Sequence, residues 1–472
     1  MSRTAVVLAG GAGERMRSQV PKVLHAIAGR TLLGHVLSQL QQLEVDRIVV
    51  VVGADGGATA KHVTDFGLQI PVSFVEQRTP DGTADATTLA LGAFGDEDPD
   101  GEILIVPGDL PLVRAATLRR LLEEHDRSES TLTLLVAEVA ADLPRLLRND
   151  RGDIVGVGPA ADAGVDTDDR SELAERCPLV FCVRRSLLTP ALRRLERAAG
   201  DTREASVVGV VAVVAASGHR IAGVPAGEPE EALGVNDRRQ LADATAIVRE
   251  RINDHWLEQG VTIIDPAHTY IDEGVAIAQD VTLLPGVTLQ GDTSIGVGAV
   301  LGPDTRIVDS SIGEYSTIAN SVVTESEIGS HCSVGPYSHL RPGTVLNDRV
   351  KVGSFVELKN AQIGEGAKIP HLAYLGDATV GTGANIGCGT ITANYDGKRK
   401  HRTTIGDNAR TGSNSVLVAP VRVGIGAYTA AGAVVVNDVP DGALARGVPA
   451  RNIADWVLER EAREHHPSEP TA

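Results

Sequence analysis

The chain has 472 residues, which at roughly 150 residues per domain predicts two or three domains. Hydrophobic residues make up 42% of the sequence, so the composition excludes a chain that is disordered throughout. The formal net charge of −18 argues against nucleic acid as a main partner, and an anionic substrate would need a local basic patch or a metal ion.

Residues 1–235 alternate short aliphatic runs with segments of helical length. The runs predict buried parallel strands at Thr4–Leu8, Arg47–Val52, Val72–Val75, Ile103–Val106 and Thr131–Val136. The longer segments predict helices at Leu32–Leu43, Ala84–Ala93 and Ala115–Asp126. This alternation is typical of a doubly wound α/β fold, whose ligands bind at the carboxyl ends of the strands.

A glycine-rich loop, residues 8–13, follows the first predicted strand, and Arg15 and Lys22 come after it. Backbone N–H groups in such a loop can approach a phosphate, and the two cations add positive charge. The loop matches neither the P-loop pattern nor the dinucleotide spacing G-x-G-x-x-G, and glycine-rich turns are common in α/β folds. It therefore indicates a phosphate site only in combination with other residues.

Two oxygen-bearing side chains are candidates for a Mg²⁺ site. Asp109 follows a buried strand, where a carboxylate can hold Mg²⁺ against the phosphates of a nucleotide, although an ordinary turn aspartate explains it equally well. Asn236 could be a second ligand, and either it or Asp237 could cap the helix that follows. That helix is predicted over residues 236–260 as a linker with one apolar face.

From residue 261 to residue 450 the hydrophobic period changes to six. Aliphatic residues occupy every sixth position from Ile271 to Ile307, and after a slip the period resumes at Val322 and continues to Val435. Six is the period of a hexapeptide β-helix, in which each repeat supplies one short strand and one turn. This explains why glycine accounts for 51 residues while aromatic residues make up only 3%. Residues 451–472 are expected to form a polar tail.

The six-residue register is interrupted at residues 392–403 by an insertion that contains Lys398, Arg399, Lys400 and Arg402. A solvated loop and a phosphate clamp both fit this basic cluster. His371 lies on a neighbouring coil, with Arg341, Lys359 and Tyr374 at nearby positions. Because an imidazole titrates near neutral pH, His371 is a candidate general base.

The four cysteines show neither metal-ligand spacing nor a disulfide framework, which indicates free thiols in a reducing compartment. The amino terminus lacks a signal-peptide layout. The longest apolar run, Val207–Ala216, is far shorter than the ~20 residues of a membrane span. We therefore expect a cytoplasmic protein that associates with neither membranes nor nucleic acid.

Nearly the whole chain resembles one family, the bifunctional N-acetylglucosamine-1-phosphate uridylyltransferase/glucosamine-1-phosphate N-acetyltransferases. The amino-terminal resemblance rests on the glycine loop, residues 21–25 (Pro-Lys-Val-Leu-His), Gly82-Thr83, Gly108-Asp109 and residues 234–236 (Gly-Val-Asn). The carboxyl-terminal resemblance rests on residues 340–343, 356–359, 371–377 and 394–397. It implies a Rossmann-like nucleotidyltransferase domain (1–235), a linker helix (236–260) and a left-handed parallel β-helix acetyltransferase domain (261–450).

For the first domain, the resemblance implies Mg²⁺-dependent uridylyl transfer from UTP to N-acetylglucosamine-1-phosphate. The implied nucleotide-binding residues are Leu8, Ala9, Gly10, Gly11, Lys22, Gln77, Gly82 and Thr83. Arg15 and Lys22 would stabilise the phosphates, and Asp109 with Asn236 would bind Mg²⁺.

The sequence departs from the family where the amino sugar would bind. Only Arg145 agrees in the first sugar motif, Pro159 and Cys177 replace other sugar contacts, and Asp85 and Pro107 alter two further motifs. A site built for hydroxyl and amide contacts loses much transition-state binding without them. We therefore expect uridylyl transfer to N-acetylglucosamine-1-phosphate to be weak, altered or lost.

For the second domain, the resemblance implies that His371 is the general base for acetyl transfer to glucosamine-1-phosphate. The implied sugar-phosphate residues are Arg341, Lys359, Tyr374, Asn385 and Lys400, and the implied acetyl-CoA residues are Cys388, Asn394, Tyr395, Ser413 and Ala431. Either Arg446 or Arg451 would also contact the coenzyme. The family further implies a homotrimer and a role in peptidoglycan and cell-wall synthesis.

Two alternatives stay open for the first domain. It could use a different sugar phosphate or nucleoside triphosphate, or it could be a non-catalytic nucleotide-binding or scaffold domain. The presence of Lys22 and Asp109 argues against the second alternative.

Overall fold

The computed structural model describes residues 2–11, 13–54, 56–79, 81–93, 100–128, 130–140, 143–158, 173–199 and 205–465. The chain divides into two compact units, one ending at Val248 and the other beginning at Arg249.

The amino-terminal unit is built on one mixed β-sheet. Its strands, in spatial order, are Ala174–Arg176, Leu132–Val139, Phe181–Arg184, Glu102–Pro107, Arg3–Ala9, Arg47–Gly53 and Val72–Gln77, with Ile221–Pro225 also paired to Leu132–Val139. Its α-helices are Leu32–Leu40, Gly57–Asp65, Thr83–Gly92, Ala115–Arg127, Arg185–Ala199 and Gly209–Ala216. Short hairpins pair Ala26–Ile27 with Arg30–Thr31 and Leu146–Arg148 with Ile154–Val157. The α/β fold predicted from the sequence is confirmed, with all five predicted strands and all three predicted helices present.

The five predicted strands run in one direction, but an additional strand separates Leu132–Val139 from the other four. The strand Phe181–Arg184 lies antiparallel between Glu102–Pro107 and Leu132–Val139. Alternate residues of the strands enter two separate hydrophobic clusters, so Ile103 and Ile105 pack on one side while Leu104 and Val106 pack on the other. This division buries both faces of the sheet, as expected for strands that are apolar along their length.

The predicted linker helix spans Arg238–Glu258. Asp237 caps it, because its side-chain oxygen accepts hydrogen bonds from the backbone N–H groups of Arg239 and Gln240, each at 2.9 Å. Asn236 is therefore not the helix cap, and its side chain points elsewhere. Across the described ranges, no helix is both long and apolar enough to cross a membrane.

The carboxyl-terminal unit stacks short parallel strands into three sheets. The first sheet contains Thr262–Ile263, Thr282–Leu283, Val300–Leu301, Thr317–Ile318, Ser333–Val334, Lys351–Ser354 and Lys368–His371. The second contains Tyr270–Ile271, Thr288–Gln290, Arg306–Val308, Val322–Thr324, His339–Leu340, Glu357–Lys359, Tyr374–Gly376, Ile391–Ala393, Val416–Val418 and Val434–Val435. The third contains Ala276–Ile277, Ser294–Ile295, Ser311–Ile312, Ser326–Ile328, Thr344–Leu346, Gln362–Ile363, Ala378–Val380, Thr403–Ile405 and Val421–Val423. Three parallel sheets visited in turn are the architecture expected of a left-handed β-helix, so the predicted repeat is confirmed.

The interior of the coil holds one aliphatic column per sheet. Ile271, Leu289 and Ile307 are successive, fully paired and buried positions of the second sheet. The prediction for Val322 is wrong, because Val323 points inward and Val322 is exposed. The reason is a shorter corner: five residues rather than six separate Val323 from Ile328, so a strict period of six counted back from Ile328 falls on Val322.

The coil ends in a small three-stranded sheet of Tyr428–Thr429, Leu444–Gly447 and Ala450–Ile453, followed by the helix Trp456–His465. The predicted tail at residues 451–472 therefore begins with a strand and a helix, and its last seven residues lie outside the described part of the chain.

Candidate functional site

A cleft of about 300 Å³ opens at the carboxyl ends of the central strands of the amino-terminal sheet. Ala9, Gly10, Gly11 and Gln77, all predicted to bind nucleotide, line it. A side chain at Gly10 would come within 3.3 Å of Gln77 Oε1, so the missing Cβ keeps this wall open. Leu8 lies just behind the cleft, where its carbonyl accepts a hydrogen bond from Gly108.

The side-chain amide of Gln77 is held by two acceptors. Its Nε2 donates to the Gly82 carbonyl at 3.0 Å and to Asp85 Oδ2 at 2.8 Å. Gly82 has a left-handed backbone (φ 92°), and Thr83 Oγ1 accepts from the Val207 backbone N–H at 2.9 Å. The structure therefore connects Gly82 to the cleft through Gln77, while the Thr83 hydroxyl has a structural partner.

The predicted metal ligands converge on one point. Lys22 Nζ donates to Asp109 Oδ2 and, at 3.1 Å, to Asn236 Oδ1. The side chain of Lys22 is 12% exposed and that of Asp109 is 21% exposed, so this contact is largely shielded from water. A carboxylate oxygen and an amide oxygen around a single cation are a donor set that fits Mg²⁺.

Other predicted residues of this unit lie at the margin. Arg15 is exposed on the 3₁₀ turn Glu14–Met16, whose last carbonyl accepts from Arg238 Nε at 3.2 Å. Among the positions that depart from the family, Pro107 ends a strand beside Leu8, Cys177 is buried, and Pro159 lies outside the described residues.

In the β-helix, the candidate base and three predicted acetyl-CoA residues form one column. Backbone pairing matches Lys368 with Asn385, Asn385 with Arg410, and Arg410 with Tyr428 on successive coils. The residues three positions later are His371, Cys388, Ser413 and Ala431, so these four share one edge at about 4.8 Å per coil. Hydrogen bonds from Asn414 N–H to the Cys388 carbonyl (2.6 Å) and from Gly432 N–H to the Ser413 carbonyl (2.8 Å) confirm this register. His371, Ser413 and Ala431 are exposed, and Cys388 is half-buried.

The predicted sugar-phosphate cations lie on the second sheet and on the inserted loop. Arg341 and Lys359 follow paired residues of neighbouring strands, and Arg341 Nη1 contacts Glu357 Oε1 at 2.6 Å. A side-chain contact with Lys400, together with the charge of Lys400, lowers the pKa of Lys359. Two neighbouring ammonium groups with an arginine nearby are typical of an anion-binding site.

Asp377 lies close enough to this cluster to feel the charges of Lys359 and Lys400, and it was not among the predicted site residues. Its carboxylate accepts hydrogen bonds from Asn360 Nδ2 at 2.7 Å and from Asn394 Nδ2 at 2.5 Å. Burial raises the pKa of Asp377, but these hydrogen bonds and the charges of Lys400 and Lys359 outweigh burial and lower it overall. A sequence signal was present, because residues 360, 377 and 394 are 17 apart and so occupy one position on three consecutive coils.

Tyr374 lies against the same network. A Cβ added to Gly376 would lie 2.7 Å from Asn394 Nδ2 and in collision with the Tyr374 hydroxyl, so glycine is required for the ring to pack here. Asn385 lies instead on the first sheet, between Lys368 and Arg410. The structure therefore places Tyr374 beside Asn394. Asn385 lies on a different sheet, three residues before Cys388 in the chain.

The inserted loop is an ordered turn. Asp396 accepts hydrogen bonds from the backbone N–H groups of Lys398 and Arg399, each at 2.7 Å, and from His401 Nε2 at 2.7 Å. The Arg399 backbone, then His401 and the Lys398 backbone, lower the pKa of Asp396 to about 2. Tyr395 is exposed and pairs through its backbone with Lys400.

The two candidate coenzyme arginines, Arg446 and Arg451, are cross-strand partners in the terminal sheet, and both are exposed. Their pairing makes the two side chains neighbours rather than alternatives in distant places.

Comparison with known proteins agrees with this layout. Residues 5–216 match the family described as the MobA-like NTP transferase domain. The chain is 42% identical over 463 residues to the "Bifunctional protein GlmU" of Streptomyces avermitilis, covering 96% of this chain and 94% of that protein. It is 40% identical to the protein of the same name from Micrococcus luteus (96% and 93% covered) and 41% identical to that of Mycolicibacterium vanbaalenii (96% and 92% covered).

A solved structure, the inositol-1-phosphate CTP transferase from T. maritima, matches at 22% identity with a TM-score of 0.37, over 48% of this chain and 85% of that chain. The resemblance inferred from the sequence is confirmed by the curated relatives, which span both units. The chain belongs to the bifunctional GlmU family.

Proposed function

We propose that the β-helix transfers the acetyl group of acetyl-CoA to the amine of glucosamine-1-phosphate. The column of His371, Cys388, Ser413 and Ala431 carries this proposal, because it sets an imidazole at one end of a row of small side chains. An extended thioester lying along the row would bring its carbonyl to the imidazole. Holding both reactants in this way supplies much of the rate enhancement that acyl transfer needs.

In the proposed step His371 takes one proton from the sugar ammonium, which frees the amine lone pair. The nitrogen then bonds to the thioester carbonyl carbon as the carbon–sulfur bond breaks. The coenzyme leaves as a thiolate and takes up the second nitrogen proton. The products are an N-acetyl sugar phosphate and coenzyme A.

The cation cluster supports a sugar phosphate as the acceptor. Lys359 and Lys400 repel each other while no anion lies between them, and Arg341 adds to the positive potential. A phosphate group would relieve this repulsion and accept charge-assisted hydrogen bonds from all three. Tyr374 supplies a hydroxyl beside Asn394.

Thiol release from acetyl-CoA in the presence of glucosamine-1-phosphate tests this half. We expect His371→Ala to lower kcat by about 10²–10⁴-fold, the usual contribution of a general base. His268→Ala is the matched control, since His268 is an exposed histidine of the first coil that contacts Asp265. Undiminished transfer by His371→Ala would overturn the assignment.

For the amino-terminal unit we propose Mg²⁺-dependent uridylyl transfer from UTP to a sugar phosphate. The support is the cleft lined by the glycine loop together with the convergence of Asp109 and Asn236 on Lys22. When bound, Mg²⁺ neutralises phosphate charge. Because Lys22 contacts both oxygen donors, its ammonium becomes available to a phosphate only when it leaves them.

The orientation of Gln77 supports a uracil base. With both Nε2 protons engaged by Gly82 and Asp85, Gln77 presents its Oε1 toward Gly10 in the cleft. An oxygen acceptor suits the N3–H of uracil and not the unprotonated N3 of cytosine. Asp85 is one of the departures from the family. It fixes the side-chain amide of Gln77 and adds negative charge near the nucleotide cleft.

The acceptor sugar phosphate is the open part of this proposal, since the sugar-site departures predict weak, altered or absent transfer to N-acetylglucosamine-1-phosphate. Incubation with Mg²⁺, each nucleoside triphosphate and a panel of hexose-1-phosphates, with pyrophosphate release as the readout, tests it. Robust turnover of UTP with N-acetylglucosamine-1-phosphate would contradict the expected loss. No pyrophosphate release with any pair would instead favour a nucleotide-binding or scaffold domain.

We further propose a homotrimer in the cytoplasm that serves cell-wall precursor synthesis. The stacked rings of Tyr337 and Phe355 are about 60% exposed, as is Leu372 beside the candidate base, which is an apolar strip suited to self-association. Sedimentation velocity tests the oligomer, with Phe355→Asp expected to dissociate it. The four cysteines, none of them in a disulfide, fit a reducing compartment.

A further inference from the structure

A polar cluster is buried in the amino-terminal unit at the end of the sheet opposite the nucleotide cleft. Glu102 is the first residue of its strand, and Cys182 lies on the neighbouring antiparallel strand. Strand alternation directs both side chains to the face covered by the helix Ala115–Arg127, and His125 is on the last turn of that helix. The strand Glu102–Pro107 separates this cluster from the cleft by about 17 Å at ~3.3 Å per residue.

The three side chains form a compact set of donors. One atom of each, a Glu102 oxygen, a His125 ring nitrogen and Cys182 Sγ, lies within 4.8 Å of the other two. The residues are 6%, 2% and 0% exposed, respectively. Ligands at ~2.0–2.3 Å from a tetrahedral ion lie about 3.3–3.8 Å apart, so side-chain movements of about 1 Å or less would close the set.

His125 gives the independent sign of a missing ligand. Its Nε2 is buried with no hydrogen-bond partner, and Glu102 Oε1 lies 3.8 Å away, beyond hydrogen-bond distance. Its Nδ1 lies 2.9 Å from Thr133 Oγ1. If Nδ1–H donates to the threonine, the Nε2 lone pair faces the cluster, which is how metal-bound imidazoles are usually held.

We propose that Glu102, His125 and Cys182 bind one Zn²⁺ ion, with a fourth position open to water. A thiolate, an imidazole and a carboxylate are ligands that Zn²⁺ and Co²⁺ prefer, whereas Mg²⁺ and Ca²⁺ prefer oxygen donors alone. The site is therefore chemically distinct from the Asp109–Asn236 pair.

The surroundings give an ion access. A cleft of about 500 Å³ is lined by Arg3, Glu44, Val45, Asp46, Glu102 and Asp126, so Glu102 lies at its inner wall. Arg3 donates to Glu102 Oε2 at 2.6–2.8 Å and to Asp126 at 3.0 Å, which fixes the carboxylate and leaves Oε1 toward the histidine. Four of the lining residues are acidic and only Arg3 is basic, which favours the approach of a cation.

Burial lowers the pKa of His125, and burial with the charge of Glu102 raises the pKa of Cys182, so both shifts favour the uncharged side chains. Binding of one Zn²⁺ forms the zinc–sulfur bond and releases the thiol proton to solvent.

The test uses Co²⁺ as a spectroscopic substitute for Zn²⁺. Full-length protein is freed of metal with a chelator and titrated with Co²⁺ in excess Mg²⁺, which occupies oxygen-only sites. We expect one Co²⁺ per chain, a thiolate-to-cobalt charge-transfer band and the intense visible bands of tetrahedral coordination. Cys182→Ala should remove the charge-transfer band and weaken Co²⁺ binding on the order of 100-fold.

Two control variants isolate Cys182. Cys177→Ala removes another buried cysteine of the same unit, whose pKa burial raises to about 11, and Cys388→Ala removes the half-buried cysteine of the β-helix. Both should keep the band. A band that survives in Cys182→Ala, or that Cys388→Ala abolishes, would overturn the proposal.

A measurement on the unmodified chain covers the case in which Cys182→Ala does not fold. X-ray absorption at the zinc edge of the Zn²⁺-loaded protein should show one sulfur and two or three nitrogen or oxygen neighbours. A zinc shell without sulfur, or no retained zinc after dialysis, would refute the site.

Discussion

Replacing Asp377 by asparagine should loosen the inserted loop of the β-helix. The carboxylate accepts one hydrogen bond from Asn360 and one from Asn394, and Asn394 lies near the start of the inserted loop. The substitution preserves size, and asparagine tolerates the left-handed backbone at this position (φ 50°). An amide has only one acceptor oxygen, so its NH₂ group must face one of the two donors.

The expected loss follows from the two hydrogen bonds. Bonds to a charged acceptor contribute about 1.5–3 kcal/mol each, and a neutral one contributes about 0.5–1.5 kcal/mol. Two charged bonds contribute about 3–6 kcal/mol together, so keeping a single neutral bond in their place costs about 2.5–4.5 kcal/mol. At about 1.4 kcal/mol per factor of ten, the loop should open about 60-fold to 1,600-fold more often.

Hydrogen exchange of the amides in residues 394–402 measures this opening without a two-state assumption for the whole chain. The amide of His401, which donates to the Asn394 carbonyl at 2.8 Å, is the most direct reporter. Asp407→Asn is the control, since its exposed side chain accepts a single backbone hydrogen bond from Thr382 that an amide oxygen can replace. Exchange in Asp377→Asn within threefold of the parent would refute the reasoning.

Three further predictions concern single groups. The pKa of Asp396 is lowered to about 2, so the stability that its carboxylate gives the loop is complete above the ordinary aspartate pKa of about 3.9. This stability is lost as the pH falls toward about 2. Nuclear magnetic resonance of the loop between about pH 5 and about pH 2 should show the loss. Gly376→Ala should displace Tyr374 and cost about 1–3 kcal/mol by overpacking, seen as a lower calorimetric midpoint and a higher KM for glucosamine-1-phosphate, whereas Gly92→Ala, with nothing within 4 Å, should not. Lys22→Met should abolish nucleotidyl transfer yet tighten Mn²⁺ binding without nucleotide, on the order of tenfold, because a competing cation is removed; calorimetric titration showing weaker binding would contradict it.

Hydrophobic periodicity was enough to predict both architectures. A period of six requires the chain to turn back on itself regularly, and few folds other than a β-helix do so. The error at Val322 has a local cause, since one corner is a residue shorter and periodicity cannot show which corner that is. The strand Phe181–Arg184 was not predicted, and a run of four residues would not have revealed that it is antiparallel.

The candidate sites were predictable where a residue type was scarce or its spacing was regular. Periodicity alone gave His371 its coil, but the alignment of Cys388 with Ser413 depends on the insertion that lies between them, whose length changes the register. The division of roles between Asn236 and Asp237 needed side-chain directions, which two adjacent polar residues do not disclose. The Glu102–His125–Cys182 cluster was invisible because its members lie on three separated elements.

The stacked edge of the β-helix also acts as a ruler. Three coils separate His371 from Ala431, a span of about 14 Å at ~4.8 Å per coil. Distances between groups at one paired position of this edge change in whole coils, because strands pair coil to coil even where a corner is shorter or carries an insertion. The length of ligand that the edge can accommodate is therefore set in discrete steps, and a deletion of one entire coil would shorten it by one step while the remaining strands stay paired.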